Sequence, residues 1–208
     1  MKNCLYIAAL WAMVTFFTGC TAAVLESARE EFYSNQPLKA IQALSDTEKF
    51  PDRDKLLLFM EKGLILHHMG KYQESTDELL KASKFIEEHE TISLSRQTAS
   101  LITTEWITRY KGEYSERLWV HTYLMMNFLM LNKHDSALVE AKKALKLFEE
   151  YPEALEEDHF TRALIALCYE NLGQVNDAYI EYKKLAKLMR NPSGVAGPLY
   201  RLGAHLGF

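Results

Sequence analysis

Apolar residues recur at i, i+3, i+4 and i+7 almost throughout the chain from residue 22 onward, the period of an amphipathic helix. Alternating runs rich in β-branched residues, the mark of strands, are missing. Breakers interrupt the pattern at Asn35-Gln36-Pro37, Phe50-Pro51-Asp52, Gly70, Gly112, Asn132, Tyr151-Pro152, Gly173 and Asn191-Pro192. Between them the spacing predicts helices near 22–34, 37–47, 52–69, 71–88, 91–110, 114–131, 133–150, 157–172, 174–190 and 196–206. The expected fold class is all-α.

Three stretches align with one another: Leu56–Glu88, Arg117–Glu150 and His159–Pro192. Each has a residue midway along its first helix where axes would cross, namely Gly63, Met125 and Ala166. Gly70, Asn132 and Gly173 follow as turn residues able to adopt the left-handed conformation that ends a helix. A small residue comes early in the second helix (Ser75, Ala137, Ala178), and Leu79, Ala141 or Tyr182 lies four positions later. Small residues at a crossing let two helices approach, and larger ones fill the space beside them. Met125 departs from this rule, because glycine or alanine is expected there.

This pattern resembles the tetratricopeptide repeat, a helix–turn–helix unit of about 34 residues. The resemblance implies an antiparallel, right-handed superhelical array. A degenerate repeat is expected near 22–47, around Ala40. Gly70 and Asn132 are 62 residues apart but Asn132 and Gly173 only 41, so an inserted helix is expected near 92–110. The run GVAGPLYRLGAHLGF starts a further apolar helix, where solenoids normally place a polar cap. Either it packs back onto the last repeat, or the chain is shorter than its relatives. A non-repeating helical bundle would share most of these features.

The first apolar run has a different character. Lys2 precedes an uncharged stretch of 13 residues, Leu5–Phe17, and the small residues Thr18 and Gly19 lead to Cys20. A membrane-spanning helix needs about 20 apolar residues, whereas a stretch this short suits a signal peptide. Phe17-Thr18-Gly19-Cys20 resembles a bacterial lipobox, with Phe17 where leucine is usual. The resemblance implies cleavage after residue 19, a lipid on the Cys20 thiol and a mature domain of 20–208. With several acyl chains such an anchor holds firmly. Thr21 stands where an aspartate would signal inner-membrane retention, so the resemblance implies an outer-membrane anchor facing the periplasm. The alternatives are an uncleaved N-terminal anchor and a cytosolic protein with an accidental apolar start.

Composition adds limits. Of 208 residues, 48% are hydrophobic and 25% charged, which is ordinary for a globular protein. The net charge of −4 supplies no electrostatic reason to expect nucleic acid. The three cysteines are Cys4, Cys20 and Cys168, so no disulfide framework or zinc spacing exists. No P-loop, dinucleotide, zincin or nucleophile-elbow motif is present, and no cofactor or metal is expected.

A second resemblance covers the stretch from Leu101 to Lys143. Tyr110, Gly112, Tyr114, Glu116 and Arg117 form a Tyr-x-Gly element. Val120, His121 and Tyr123, then Asn127-Phe128, then Ala137, Val139, Glu140 and Ala141 follow it. Together these are similar to a family of bacterial tetratricopeptide-containing lipoproteins of unassigned activity. The resemblance implies an envelope lipoprotein of that kind.

Candidate chemistry is sparse. His67 and His68 point about 100° apart on a helix and lack a third ligand nearby, so surface or groove residues are expected. Cys168 lies among Leu164, Ile165 and Leu167, as a buried inert thiol would. Asp135 is expected to cap the helix that follows it, and the acidic run at 156–158 to meet a helix N-terminus. By analogy with tetratricopeptide arrays, the first helix of each pair lines a concave groove. Trp119, Thr122 and Met126, then His67, Phe160 and Glu170, are the candidates for binding there, alongside Leu57, Met60, Leu64, Ala163 and Leu167. Trp119 and Met126 could instead fill space against the helix expected at 92–110. Glu116 and Arg117 are a groove rim or a local ion pair.

The expected function is a lipid-anchored scaffold that binds a protein or an extended peptide and assists assembly, secretion or localisation of an envelope complex. The competing class is an envelope enzyme, or its activator, acting on peptidoglycan or polysaccharide. An enzyme should converge titratable groups in a pocket, whereas a scaffold should present an open groove.

Overall fold

The computed structural model describes residues 20–46, 50–96 and 112–208, with side chains given for these except at 20–21 and 89–96. The described residues form nine α-helices and no strand. They are α1 (Cys20–Tyr33), α2 (Pro37–Ala43), α3 (Lys55–His68), α4 (Tyr72–Arg96), α5 (Tyr114–Met130), α6 (His134–Glu150), α7 (His159–Asn171), α8 (Val175–Leu188) and α9 (Ser193–His205). Consecutive helices pack as antiparallel pairs, and α3, α5 and α7 also pack side by side as a layer of first helices. The fold is all-α and a tetratricopeptide-like array.

The turns obey the sequence. Gly70, Asn132 and Gly173 have φ of 74°, 56° and 68°, the left-handed conformation that lets the chain reverse at the end of a helix. The N–H of the residue after each bonds back to a carbonyl of the last helical turn, as Lys71 N does to Leu66 O at 3.0 Å. At the start of α5, Glu113 N donates to Glu116 Oε2 at 2.8 Å, and Arg117 Nε donates to Gly112 O at 3.2 Å. Glu116 and Arg117 therefore fasten a helix start. Asp158 caps α7 by accepting from Thr161 N at 2.9 Å, as the acidic run predicts. Asp135 lies within the first turn of α6, and Lys133 occupies the capping position expected of it.

Three apolar clusters hold the array. The largest joins α3 to α7 through Leu56, Leu79, Leu118, Leu124, Met125 and Ile165. A second binds α1 and α2 to α3 through Leu25, Ala40, Leu44 and Leu58. The third joins α7, α8 and α9 through Ala166, Tyr182, Leu185, Val195 and Leu202, so α9 packs back onto α8. At the first crossing, a Cβ on Gly63 would lie 2.5 Å from Leu79 Cγ, a separation no packed side chain tolerates. The other crossings solve the same volume problem differently. Met125 shares its cluster with Ala141, and Ala166 shares its cluster with Tyr182. Each pair sets one large residue against one small one, which accounts for methionine where glycine is expected.

Several boundaries differ from the periodicity: α2 ends at Ala43 where 47 is expected, and α3 begins at Lys55, after a short 3-10 turn over Asp52–Asp54, where 52 is expected. The break expected between 88 and 91 is absent, because α4 continues without interruption to Arg96. No Gly or Pro separates those residues, so nothing ends the helix there. The rest of the helix expected at 92–110 lies outside the described residues, as does the segment 1–19, where a signal peptide is expected. The last helix begins at Ser193, three residues before expectation, with Pro192 as its cap.

Replacing Gly63 with alanine should destabilise the domain by about 1–3 kcal/mol, because the added methyl must displace Leu79. Leu79→Ala alone should cost about 2–5 kcal/mol for the cavity it leaves. Urea denaturation of the two single variants and the double variant should show strong non-additivity, since truncating Leu79 frees the space that the added methyl needs. Additive losses would show that this crossing is looser than its geometry.

Candidate functional site

The layer of first helices presents a chain of aromatic rings. Trp119 lies 4.4 Å from Tyr123 between ring centroids, on one face of α5 at a spacing of four residues. Tyr123 meets His67 of α3 edge-on, at 4.9 Å and 83°. His67 in turn meets Tyr72 at 5.4 Å and 64°, and His68 reaches Phe32 of α1 at 5.6 Å. The row thus crosses three helix pairs. Edge-to-face contacts of this kind add roughly 0.5–1.5 kcal/mol each beyond burial.

Beneath the rings runs a buried polar chain. His67 Nδ1 lies 2.7 Å from Asn127 Oδ1, Asn127 Nδ2 donates to Ser75 Oγ at 2.8 Å, and Ser75 Oγ donates to Gly63 O at 2.7 Å. Asn127 and Ser75 are fully buried, where an unpaired polar group would be costly. The serine expected only as a small crossing residue is therefore also a polar link between repeats. A second link joins the same layer further on, where the hydroxyls of Thr122 and Thr161 lie 2.8 Å apart.

The predicted groove residues fall into three groups. Trp119, Met126, His67, Leu57, Leu64 and Ala163 are half-buried. Phe160 and Leu167 of α7 are exposed, Phe160 at 59%. Met60 and Thr122 are buried, at 9% and 5%, so they face the core or the next helix and present no open surface. Glu170 is engaged by Arg201 and by the Tyr182 hydroxyl at 3.1 Å. Burial, followed by the charge and hydrogen bond of Glu170, pushes the Tyr182 phenol up to about 12. Met130, at 57% exposure, extends the Met126 side of α5 and lies outside the predicted set. Tyr123 and Asn127 carry no role in sequence reasoning beyond a place in the family motif. An asparagine inside the apolar run MMNFLML is the available signal that a buried polar contact is needed.

Between the two layers, His121 Nδ1 of α5 lies 2.7 Å from Glu140 Oε2 of α6, and both side chains are buried. Lys143 contacts Glu140 at 3.3 Å and Glu87 of α4 at 2.8 Å. Burial pushes the Glu140 carboxyl up, but the hydrogen bond and charge of His121, helped by Lys143, outweigh it and hold the group below the usual carboxylate range. A cleft of about 220 Å³ opens beside this network, lined by Arg117, His121, Lys143 and Lys146 among others. A more open cleft of about 700 Å³ lies between Glu156, Glu157 and His159 and the segment Leu188–Asn191. Neither includes His67 or Glu170. Cys168 is buried, and desolvation pushes its thiol up to about 12, which leaves almost no thiolate at neutral pH. Among the described residues no cluster of His, Cys, Asp and Glu is arranged to hold a metal, and no helix is long and apolar enough to cross a membrane.

No protein-family model and no curated protein matches the sequence. Solved structures do match in fold. MamA from AMB-1 shares 15% identity over 89% of this chain and 82% of its own, with a TM-score of 0.59. The apo form of RapI shares 13% identity over 96% of this chain, with a TM-score of 0.65, and the chain spans only 54% of RapI. A Podosopora anserina protein described as having nearly identical TPR-like repeats shares 15% identity over 89% of this chain and 86% of its own, with a TM-score of 0.61. At these identities the likeness is one of fold: the chain has a TPR-like repeat fold.

The depressed Glu140 carboxyl has a stability consequence with a definite sign. Its folded-state value lies below the unfolded one, so its contribution is full above the ordinary carboxylate range and is lost as pH falls through the depressed value. The urea midpoint of the wild type should therefore drop on acidification below about pH 4.5. Glu140→Gln should start lower, by about 3 kcal/mol for an opened buried pair, and lose less on acidification. Parallel pH curves for the two proteins would remove the pair from the account.

Proposed function

We propose that this chain is a cell-envelope lipoprotein whose TPR-like domain binds a protein or an extended peptide along its first-helix layer. The observation that carries the binding part is the ring row from Trp119 through Tyr123 to His67, together with exposed Met130 on α5 and exposed Phe160 and Leu167 on α7. In arrays of this kind the first helices line the concave side, a surface suited to extended ligands. Aromatic anchors dominate interface energetics, and methionines such as Met126 adapt to varied side chains.

Support for the anchor comes from Phe17-Thr18-Gly19-Cys20 alone. The scaffold would then sit at the membrane, facing the periplasm, and assist assembly, secretion or localisation of an envelope complex. The competing reading, an enzyme or activator acting on peptidoglycan or polysaccharide, needs titratable groups converging on substrate. His67 and Glu170 are each tied to partners within the fold, His67 to Asn127 and Glu170 to Arg201 and Tyr182. That favours the scaffold.

Metabolic labelling with a lipid precursor should mark the wild type and leave Cys20→Ser unlabelled; equal label in both would sink the anchor. Crosslinking in the native envelope should capture a partner, and Trp119→Ala should lower the yield roughly tenfold while leaving the circular dichroism of the helices unchanged. An unchanged yield removes Trp119 from the binding surface.

A further inference from the structure

The polar chain that begins at Gly63 has a fixed direction. A carbonyl oxygen only accepts, so Ser75 Oγ spends its one proton on Gly63 O at 2.7 Å. The Ser75 oxygen must then accept, and it does so from Asn127 Nδ2 at 2.8 Å. Turning the amide over would set two acceptors against each other. Asn127 Oδ1 therefore faces His67, and His67 Nδ1 carries the proton it donates across 2.7 Å. In a neutral imidazole the remaining nitrogen, Nε2, is an acceptor. Nε2 has no partner among the described residues, and it is not one of the buried atoms sealed from solvent. A serine hydroxyl on the next helix, two hydrogen bonds away, thus dictates which nitrogen the binding face offers.

The electrostatics of that face narrow the ligand. Every charged side chain of α3, α5 and α7, histidines aside, is already engaged within the chain. Lys55 pairs with Asp52, Glu61 with Arg29, Lys62 with Glu78 and Glu170 with Arg201. Glu116 and Arg117 are held at the start of α5. Arg162 stacks on the ring of Phe148 of α6 at 4.0 Å, and its Nε, which has no hydrogen-bond partner among the described residues, is sealed from solvent. An ion on the ligand would lose water against these rings and find no free counter-charge, which is unfavourable.

Resting on the scaffold reading above, we infer that this face takes an uncharged, extended polypeptide segment, with an apolar or aromatic side chain against Trp119 and Tyr123 and a backbone N–H donating to His67 Nε2. An extended chain offers an N–H at each residue, and one that is buried must find an acceptor. The direct ring contact of His67 with Tyr123, at 4.9 Å, places the acceptor beside the apolar anchor, so a single residue of ligand can meet both. His67 is the specificity-determining residue.

The test begins with a random peptide phage library panned on the whole domain, keeping sequences whose binding is lost on Trp119→Ala. The selected peptides should be uncharged at their centre. Placing Lys or Glu there should weaken binding to the wild type by roughly tenfold or more in fluorescence anisotropy. Replacing backbone amides by esters one at a time should reveal one position that costs roughly tenfold on the wild type and little on His67→Phe. The comparison of Lys, Glu and neutral peptides needs no variant, so a poorly folding His67→Phe leaves it intact. Trp119-dependent peptides with a charged anchor would overturn the inference and leave the scaffold standing, as would ester losses equal in wild type and His67→Phe. No Trp119-dependent peptide at all would bring down both.

Discussion

The close crossing of α3 and α4 at Gly63 is the constraint on which the rest of the inner face depends. Leu79 occupies the space where a side chain on residue 63 would sit, 2.5 Å from its ideal Cβ. That approach brings the Gly63 carbonyl within reach of Ser75 Oγ, which in turn seats Asn127. Asn127 then holds the His67 ring, and the ring aligns Tyr123 and Trp119. One missing methyl group therefore sets helix separation, the register between two repeats and the chemistry of the exposed face.

The two layers of the array are joined by different means. First helices are tied through uncharged amide and hydroxyl groups: Asn127 to His67, and Thr122 to Thr161. Second helices are tied through charge: Lys143 spans Glu140 and Glu87, and Lys133 Nζ donates to Gln73 at 2.7 Å. Neutral links keep the inner layer free of uncompensated charge. Charged links on the outer layer cost little where water reaches Lys143 and Glu87, and more where Glu140 is buried with His121. The division suits a scaffold that binds on one side and is solvated on the other.

Several residues singled out by motif or as groove candidates turn out to serve folding. Glu116 and Arg117 secure the start of α5, His121 balances Glu140, and Glu170 holds α9 through Arg201. A motif records which residues recur together, and structural partners recur as faithfully as ligands do. Met125 shows the converse. It breaks the small-residue rule at its own position, yet Ala141 of α6, in the same apolar cluster, is small where the first repeat has Leu79.

Local rules made much of this protein legible from its sequence. Helical period, left-handed turn residues and small crossing residues act within a few positions, so the helices of all three repeats and their turns at Gly70, Asn132 and Gly173 could be read directly. The periodicity misplaces a break at 88–91, where α4 runs on and neither Gly nor Pro intervenes. Which face each residue took was decided by neighbours distant in the chain. Thr122 looked like a groove residue until Thr161, 39 positions away, drew it inward. Asn127 looked like a motif letter until Ser75, 52 positions away, turned it into the orienting group for His67. Periodicity states that a helix has a buried side; only the packing of separate repeats settles which polar atoms are shared across it, because a hydrogen bond depends on the position of both partners and sequence spacing fixes only one.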